Sequence, residues 1–474
     1  MGNPKGFLLY ERKEAGNRPI KERIFDFGEV EQTLNAEDRK LQAARCMDCG
    51  VPYCNWACPV ESVIPEWQDL LYRGEWKRAS DLLHSTNDFP EFTGRICPAP
   101  CEKSCTLNLH DAPVTIRENE CAIVERAFDD GFIKPQPPKI RTGKKVAVIG
   151  SGPAGLSAAT LLNRAGHTVT LFEKDDAIGG LLRFGIPDFK LSKQVIDRRL
   201  AILEAEGLIF KTNTEIGKDI SAKELLDQFD AICLTVGAMQ ARDLPVEGRD
   251  LKGVYFAMEF LTQQNKKIRG DIIDPAVRLF AKDKNVLVIG GGDTGSDCVG
   301  TSNRHGARSV TQIEILPKPP EKKNSATPWP FYPNILKTSS SHEEGCERKW
   351  NTATKRLIGK DGILTGAEIV EVQWIKNADG KTSMAEVEGS KQIIPCEFAF
   401  LSMGFIQPIH TGLLDDLGVT YDNRGNVLID SSSKSSVSKV FAAGDTVLGA
   451  TLVVRAIYSG RQAAFNVDQF LKTV

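Results

Sequence analysis

The feature that most constrains this chain is a repeat. The run Lys144-Lys-Val-Ala-Val-Ile-Gly150 returns almost unchanged as Lys284-Asn-Val-Leu-Val-Ile-Gly290, 140 residues further on. Each is a short apolar strand pattern that ends on glycine. The first runs into Gly150-Ser-Gly152-Pro153-Ala154-Gly155 and an apolar helix pattern, LSAATLLNRAG. A second strand pattern, His167–Phe172, then ends on Glu173, 23 residues after Gly150. The second copy runs into Gly290-Gly291-Gly292-Asp293-Thr294-Gly295, and Glu314 closes a strand pattern 24 residues after Gly290. In such units the glycines permit a tight turn and a close approach of backbone to a pyrophosphate at the helix N-terminus. The acid at the end of the next strand accepts from a ribose hydroxyl. Turns and linkers produce a lone GxGxxG by chance, but here strand, glycines, helix, second strand and acid fall in register twice. The period is too long for a solenoid. It implies a duplicated βαβ unit and an α/β fold with two Rossmann-like dinucleotide-binding domains.

The rest of the chain divides around this repeat. A length of 474 residues suggests about three domains. Residues 1–132 carry a cysteine cluster amid helical patterns such as Ala36–Ala44 and Val63–Leu83. Ile133–Lys145 is Pro-rich and basic and reads as a linker. The polar and aromatic stretch between about 320 and 350 reads as an ordered surface insertion. Apolar residues make up 41% and charged residues 26%, the balance of an ordinary globular protein. A net charge of −2 gives no general attraction for nucleic acid. No apolar run approaches the roughly 18–20 residues of a membrane span. The N-terminal stretch has no secretory core, and Gly6 breaks the myristoylation pattern. The expectation is a cytoplasmic protein.

The cysteines carry the second specific signal. Eight of the twelve fall between Cys46 and Cys121. Their spacing is Cys46-x2-Cys49-x4-Cys54-x3-Cys58-Pro59, then Cys97-Pro98-x2-Cys101-x3-Cys105, then Cys121. A dense cluster in a long chain without a signal peptide points to metal before disulfides. In ferredoxin-type runs that end in x3-Cys-Pro, three cysteines hold one cluster and the fourth ligates another. That logic gives Cys46, Cys49 and Cys54 to one [4Fe-4S] site and Cys58 to a second. If the later run divides in the same way, Cys105 completes the first and Cys97, Cys101 and Cys121 the second, a partition the spacing leaves open. Zinc is the competing metal, but it favours paired C-x2-C knuckles and only one Cys-x2-Cys stands in the cluster. Cys121, alone on a helix pattern, could also be a plain buried thiol. Cys233, Cys298, Cys346 and Cys396 read as core or surface thiols. None forms the C-x-x-C that disulfide reductases of this fold carry after the nicotinamide glycines.

Two dinucleotide sites suggest two different dinucleotides with hydride transfer between them. Phe441-Ala-Ala-Gly444-Asp445 resembles the second FAD motif of two-dinucleotide flavoproteins, whose last segment returns to complete the first domain. The likeness places FAD on the first glycine loop, with Glu173, Lys174, Gly180 and Leu181 beside it, and the nicotinamide cofactor on the second. A helix beginning at Thr451-Leu452-Val453 would then aim its N-terminus at the flavin and favour its anionic reduced form. Glu314 suits a ribose 2′-hydroxyl and repels a 2′-phosphate, which leans the choice to NADH over NADPH. Lys318, Lys322 and Lys323 could supply phosphate contacts if the loop folds back. A flavin can take a hydride and release electrons singly, and two clusters can carry them away. No side chain is singled out as a catalytic acid or base.

Taken in order, these motifs resemble the small (beta) subunit family of glutamate synthases. The sharper marks are Arg45-Cys-Met-Asp-Cys-Gly50, Gly179-Gly-Leu-Leu-Arg-Phe-Gly-Ile-Pro187, Leu316-Pro-Lys-Pro-Pro320 and Gly444-Asp-Thr-Val-Leu-Gly-Ala-Thr-Leu-Val-Val-Arg455. The resemblance implies a disulfide-reductase-type flavoprotein with an N-terminal helical iron–sulfur domain. It implies residues 1–140 for the clusters, 141–255 with 411–474 for FAD, and 256–410 for NAD(P)H. It further implies electron transfer to a large (alpha) subunit that makes L-glutamate from 2-oxoglutarate and glutamine. The chain begins Met-Gly-Asn, without the N-terminal Cys nucleophile of the glutaminase half, so alone it should oxidise NAD(P)H with artificial acceptors only. The same module resembles part of dihydropyrimidine dehydrogenase and subunits of bifurcating transhydrogenases. Two further readings stay open: an N-terminal docking module with structural clusters, and a nucleotide-sensing scaffold.

Overall fold

Two five-stranded parallel sheets, one for each glycine fingerprint, organise the chain. The computed structural model describes residues 2–377 and 380–473. In the first sheet the strands run in the order Val440–Ala442, Ala231–Leu234, Lys145–Ile149, Thr168–Phe172, Ile209–Lys211. All neighbours are parallel, and Val146 to Ile149 pair residue for residue with Val169 to Phe172. The second sheet runs Val254–Phe256, Phe398–Leu401, Asn285–Ile289, Ser309–Ile313, Glu347–Lys349, again all parallel. In both, the strand before the glycines sits in the centre and is buried on both faces, as its continuous apolar run requires. The outer strand Val440–Ala442 comes from near the C-terminus and pairs with Ala231–Leu234. The helix Val453–Leu471 packs on the glycine-loop helix Pro153–Arg164. Gly460 makes the close crossing possible, since a Cβ there would strike the Ala154 backbone. Val254–Phe256 already belongs to the second sheet, so the chain crosses between sheets before Val254. Two antiparallel segments make the crossing, with Arg242 N–H donating to Gly404 O at 2.9 Å and Ile406 N–H to Gln240 O at 2.8 Å.

The N-terminal residues form short helices around a core that includes Ile64, Trp67, Leu71, Leu83, Cys101 and Cys105. Ala36–Ala44 is a helix as its pattern predicts, N-capped by Asn35, whose side chain accepts from Asp38 N–H. Val63–Leu83 is two helices instead of one, Ile64–Tyr72 and Trp76–Thr86. They break at Gly74, which takes a φ of 76° that an L side chain avoids. The linker has neither helix nor strand before Lys145, and it is tied down. Arg141 donates to Asn163 Oδ1 at 2.8 Å and to His167 O at 2.6 Å, and Gln136 N–H donates to Glu206. The 320–350 stretch lies against the N-terminal domain, with Trp329 4.5 Å from the Tyr53 ring and Pro330 O accepting from Ser104 Oγ at 2.6 Å. Sequence patterning gives no sign of the antiparallel sheet formed by Thr352–Lys360, Ile363–Lys376, Thr382–Glu386 and Gln392–Pro395. Its inner face, through Leu357, Leu364 and Ile369, packs on Leu287, Ile289 and Leu401 of the second sheet. Among the described residues no helix is long and apolar enough to cross a membrane.

Candidate functional site

The two glycine loops share the same backbone pins. In the first, the residue after the leading glycine, Ser151, donates its N–H to Glu173 Oε2 at 3.1 Å, and Asp175 N–H donates to Oε1 at 2.9 Å. In the second, Gly291 N–H donates to Glu314 Oε2 at 2.6 Å and Leu316 N–H to Oε1 at 3.1 Å. Each carboxylate thus pins the turn to its own strand end. On the other side, Thr235 Oγ1 donates to Ile149 O and Gly150 O, both at 2.9 Å. Ser402 Oγ makes the same pair, to Ile289 O at 2.9 Å and Gly290 O at 3.4 Å.

The three glycines of each loop face different constraints. Gly150 and Gly290 hold φ of 102° and 125°. A Cβ on either would strike the carbonyl of Thr235 or Ser402. Gly155 and Gly295 press against the carbonyl of the leading glycine, and a Cβ on Gly295 would also lie 2.7 Å from Gln312 Nε2. The middle glycines, Gly152 and Gly292, have nothing within 4 Å of the place a Cβ would take. Both are extended N-caps, at φ −68° and −80°, with no side chain capping the helix that follows. Free N–H groups at a helix start, next to open space, are the arrangement that receives a phosphate.

Over the first loop lies a cavity of about 480 Å³. Gly150, Gly152, Pro153, Ala154, Glu173, Lys174, Gly180, Leu181 and Asp445 all line it. That volume lies within the usual range for a cofactor site. Gly155 and Gly444 support it from behind, Gly444 packing where a Cβ would meet Ala154 Cβ at 2.6 Å. Thr451 holds Asp445, donating its N–H at 3.2 Å and its hydroxyl at 2.7 Å to Oδ1. Burial raises the Asp445 carboxyl above the usual carboxylate range. The helix expected from Thr451 begins at Val453 with Leu452 as N-cap, because Thr451 is occupied in holding Asp445. Several lining residues lie outside every motif: Thr214, Met239, Ile409, and Met258 and Thr262 from the second domain's helix Ala257–Arg269. No local pattern marks them, and Met258 and Thr262 reach the cavity only because one domain docks on the other.

Around the second loop, Asp293 and Thr294 open the helix Asp293–Arg304, with Gly292 and Asp293 exposed to solvent. Gln312 Nε2 donates to Gly290 O at 2.8 Å, and its Oε1 meets His342 Nε2 at 2.8 Å. Burial pushes His342 down to about 4, so the ring is neutral. Lys318 pairs with Glu321 at 3.1 Å and lies 5.6 Å over the Trp350 ring.

Cys46, Cys49, Cys54 and Cys105 gather in one place, and Cys58, Cys97 and Cys101 in another. Cys46, Cys49, Cys54 and Cys105 line one small cavity with Met47, Ile64, Leu107, Val114 and Ile116. Burial pushes the Cys46 thiol up to about 12, with Cys105 and Cys49 adding to it. Cys58 and Cys97 pack instead against the core of the first nucleotide domain. Cys101 sits near them: burial first, then Cys58 and Cys97, raise its thiol well above the ordinary value. Cys121 lies on the helix Ile116–Asp129, close to Gly94, where a Cβ would meet its Cβ at 2.9 Å. Burial pushes it up to about 12, against the pull of nearby Arg95 and Arg117. Among the described residues no three or more Cys, His, Asp or Glu side chains form a site for a single metal ion. The donors that do gather are thiols in apolar walls, a set suited to iron–sulfur clusters, whose positive iron displaces the thiol protons. Cys233 and Cys298 are fully buried core thiols.

Comparison with known proteins agrees with this layout. Residues 144–460 match the pyridine nucleotide-disulphide oxidoreductase family, and residues 23–132 match the family described as dihydropyrimidine dehydrogenase domain II, 4Fe-4S cluster. The solved structure of FprA from Mycobacterium tuberculosis in complex with NADPH has a TM-score of 0.54 at 16% identity, covering 70% of this chain and 85% of that one, a likeness of fold. The glutamate synthase [NADPH] small chain of Mycobacterium tuberculosis is 48% identical over 99% of this chain and 96% of its own length. That of Bacillus subtilis is 43% identical over 99% of both. The glutamate synthase [NADH] of Saccharomyces cerevisiae is 44% identical over 98% of this chain, which spans 22% of that longer protein. The chain belongs to the glutamate synthase small-chain family and is an NAD(P)H-dependent oxidoreductase on a two-dinucleotide flavoprotein fold.

Proposed function

We propose that this chain is the electron-input subunit of a glutamate synthase, with NAD(P)H on the second glycine loop, FAD on the first and two [4Fe-4S] clusters in residues 1–140. When bound, the flavin accepts a nicotinamide hydride as an electron pair and the clusters accept electrons one at a time. The chain's own residues hold and align. Gly152 and Gly292 leave room for pyrophosphates, and Glu173 and Glu314 have lone pairs left for ribose hydroxyls after pinning their turns. Asp445, fixed by Thr451, faces the flavin cavity, and the uncapped start of the helix Val453–Leu471 lies close by. Residues 141–253 with 411–474, and 254–410, serve as the two nucleotide domains in this reading, the expected boundary at 255 moving to put the strand Val254–Phe256 in the second. No side-chain acid or base is required.

One observation carries the reading. Cys58 and Cys97 pack on the same apolar core as Leu156 of the first glycine helix and Val454 and Ile457 of the C-terminal helix. Two thiols of the second set thereby meet the wall of the flavin domain, while Cys101 lies in the N-terminal core beside them. Val51 and Trp56, interleaved in sequence with the first set, and Phe331, 5.9 Å from the Trp56 ring, are 71%, 59% and 57% exposed. We assign that apolar surface to the large subunit, because electrons leave a chain where a cluster approaches its partner. For the coenzyme, the Glu314 carboxylate at the ribose position favours NADH over NADPH. The relatives' names divide between the two.

The test is anaerobic: iron, sulfide and FAD per chain, then titration with NADH and NADPH followed by absorbance and EPR. About eight irons and one FAD, with cluster signals rising on reduction, are expected. Added large subunit should then couple NAD(P)H oxidation to glutamate formation from 2-oxoglutarate and glutamine. One FAD with zinc or no metal would leave a flavoprotein reductase with a structural N-terminal domain. Coupling to a different acceptor would move the chain to a transhydrogenase- or dihydropyrimidine-dehydrogenase-type complex.

A further inference from the structure

The N-terminal domain reaches across both nucleotide domains through one loop. Asn17 and Glu31 pair as an antiparallel bridge, and Arg18 N–H donates to Val30 O at 2.9 Å, so residues 17–31 close on themselves. Inside this loop, Arg23 at the end of the short helix Ile20–Arg23 is only 2% exposed. Its Nε donates to Glu344 Oε1 at 2.7 Å, and its Nη2 to Ser340 O and Glu343 Oε2, both at 3.0 Å. Glu344 is shared with Arg304, whose Nη2 reaches Oε1 at 3.0 Å. Arg304 Nε donates in turn to Asp26 O of the loop at 2.9 Å. Arg304 is the last residue of the helix that starts directly after Gly292.

The same loop grips the first domain. Val30 N–H donates to Phe189 O at 3.0 Å, and Glu29 Oε1 accepts from Ser192 N–H at 2.9 Å. Glu29 also accepts from Arg95 Nε at 2.7 Å, which ties the loop back to its own domain. The Phe27 ring lies 6.4 Å from Phe189 and 6.2 Å from His305, and the Arg304 guanidinium lies 3.9 Å over Phe189. Phe189 follows closely on Phe184, which lines the flavin cavity. Its neighbour Lys190 pairs with Asp297 of the helix Asp293–Arg304. Gly300 gives Phe189 its seat, since a Cβ there would come within 2.8 Å of the ring.

Domains in one chain move relative to each other unless their interface is large and apolar. Hydride transfer tolerates little such movement, because reacting atoms must meet at about 3–3.5 Å and a 1 Å misplacement can cost about a hundredfold. A buried carboxylate shared by two arginines from different segments is satisfied in one arrangement only. We propose that residues 17–31 are a clamp, with Arg23 as positioning residue, that fixes the nicotinamide-domain helix Asp293–Arg304 against the flavin-lining segment so that both dinucleotide sites keep one relation throughout turnover. This rests on the assignment of two dinucleotides to the two loops.

Arg23→Ala is the first variant, since Glu344 keeps Arg304 as a partner, and Arg23→Lys restores the charge. Phe27→Ala loosens the clamp without touching any charge. All are compared as the flavin- and cluster-loaded full chain. Hydrogen exchange over residues 186–193 and 293–304 should rise in Arg23→Ala and Phe27→Ala. In anaerobic stopped flow the limiting rate of flavin reduction should fall by about tenfold or more, while the dissociation constant of the oxidised nicotinamide cofactor stays near the wild-type value. Arg23→Lys should recover most of the rate. Unchanged exchange and rate in both loosened variants would overturn the clamp. So would loss of FAD and iron in proportion to the rate in both, which would reduce the loop to a folding contact. A wild-type chain whose flavin NAD(P)H does not reduce would instead sink the underlying assignment.

Discussion

Gly292→Ala and Gly295→Ala, three residues apart in one loop, should fail in opposite ways. At Gly292 the backbone is extended, at φ −80° and ψ −174°, and a Cβ has nothing within 4 Å. Alanine therefore fits the fold, and by restricting the unfolded chain it should stabilise by about 0.4–1 kcal/mol. Its methyl nevertheless stands where a pyrophosphate must come to hydrogen-bond distance of the helix N–H groups. Weakening one charge-assisted bond there costs about 1.5–3 kcal/mol. The nicotinamide cofactor should thus bind on the order of ten- to a hundredfold more weakly. At Gly295 a Cβ would strike Gly290 O and lie 2.7 Å from Gln312 Nε2. Backbone must move there, at a cost of about 1–3 kcal/mol in stability. The flavin in the other domain supplies the assay, because its absorbance reports nicotinamide binding and its release reports unfolding. Gly292→Ala should hold its melting temperature and lose affinity, whereas Gly295→Ala should melt earlier. A folded Gly292→Ala with wild-type affinity would refute the placement of the pyrophosphate, and an unshifted melt in Gly295→Ala would refute the packing argument.

Glu314→Ala should narrow the preference for NADH over NADPH and also weaken both coenzymes, since Gly291 N–H loses its acceptor; a ratio of the two kcat/KM values equal to that of the wild type would exclude Glu314 from coenzyme choice. Burial pushes Lys193 down to about 8 from the ordinary 10.5, against the pull of Asp188. Between those values the unfolded chain holds more protons than the folded one, so this residue makes stability rise with pH across the window. Lys193→Met should flatten that rise in denaturant titrations taken at several pH values, and an identical slope in the variant would show that Lys193 does not titrate differently on folding.

What could be read from the sequence follows from how far apart the cooperating residues lie. The glycine loops were legible because strand, turn, helix and acid form one contiguous unit, and the same atoms do the same work in both copies. Glu173 and Glu314 read from the sequence as ribose acceptors, whereas in the fold each carboxylate also pins its own turn. Metal-ligand spacing commits Cys46, Cys49 and Cys54 to one site but leaves open which of Cys97, Cys101 and Cys105 joins them. That Cys105 lines the same cavity is a fact of the fold. The Gly74 break was written in the chain and outweighed by a helical pattern on both sides of it. Elsewhere the signal is tertiary. Arg23 stands among Lys21, Glu22 and Phe25 with no motif to mark it, and its partner Glu344 is 321 residues away. Burial of that arginine depends on a neighbour whose position only the assembled domains define. Met258 and Thr262 reach the flavin cavity by the same route. Local chemistry therefore marks two dinucleotide-type loops, but the relation between them, on which hydride transfer depends, is set by contacts with no local signature. That is why the clamp, more than either fingerprint, decides whether two correctly built sites make one enzyme.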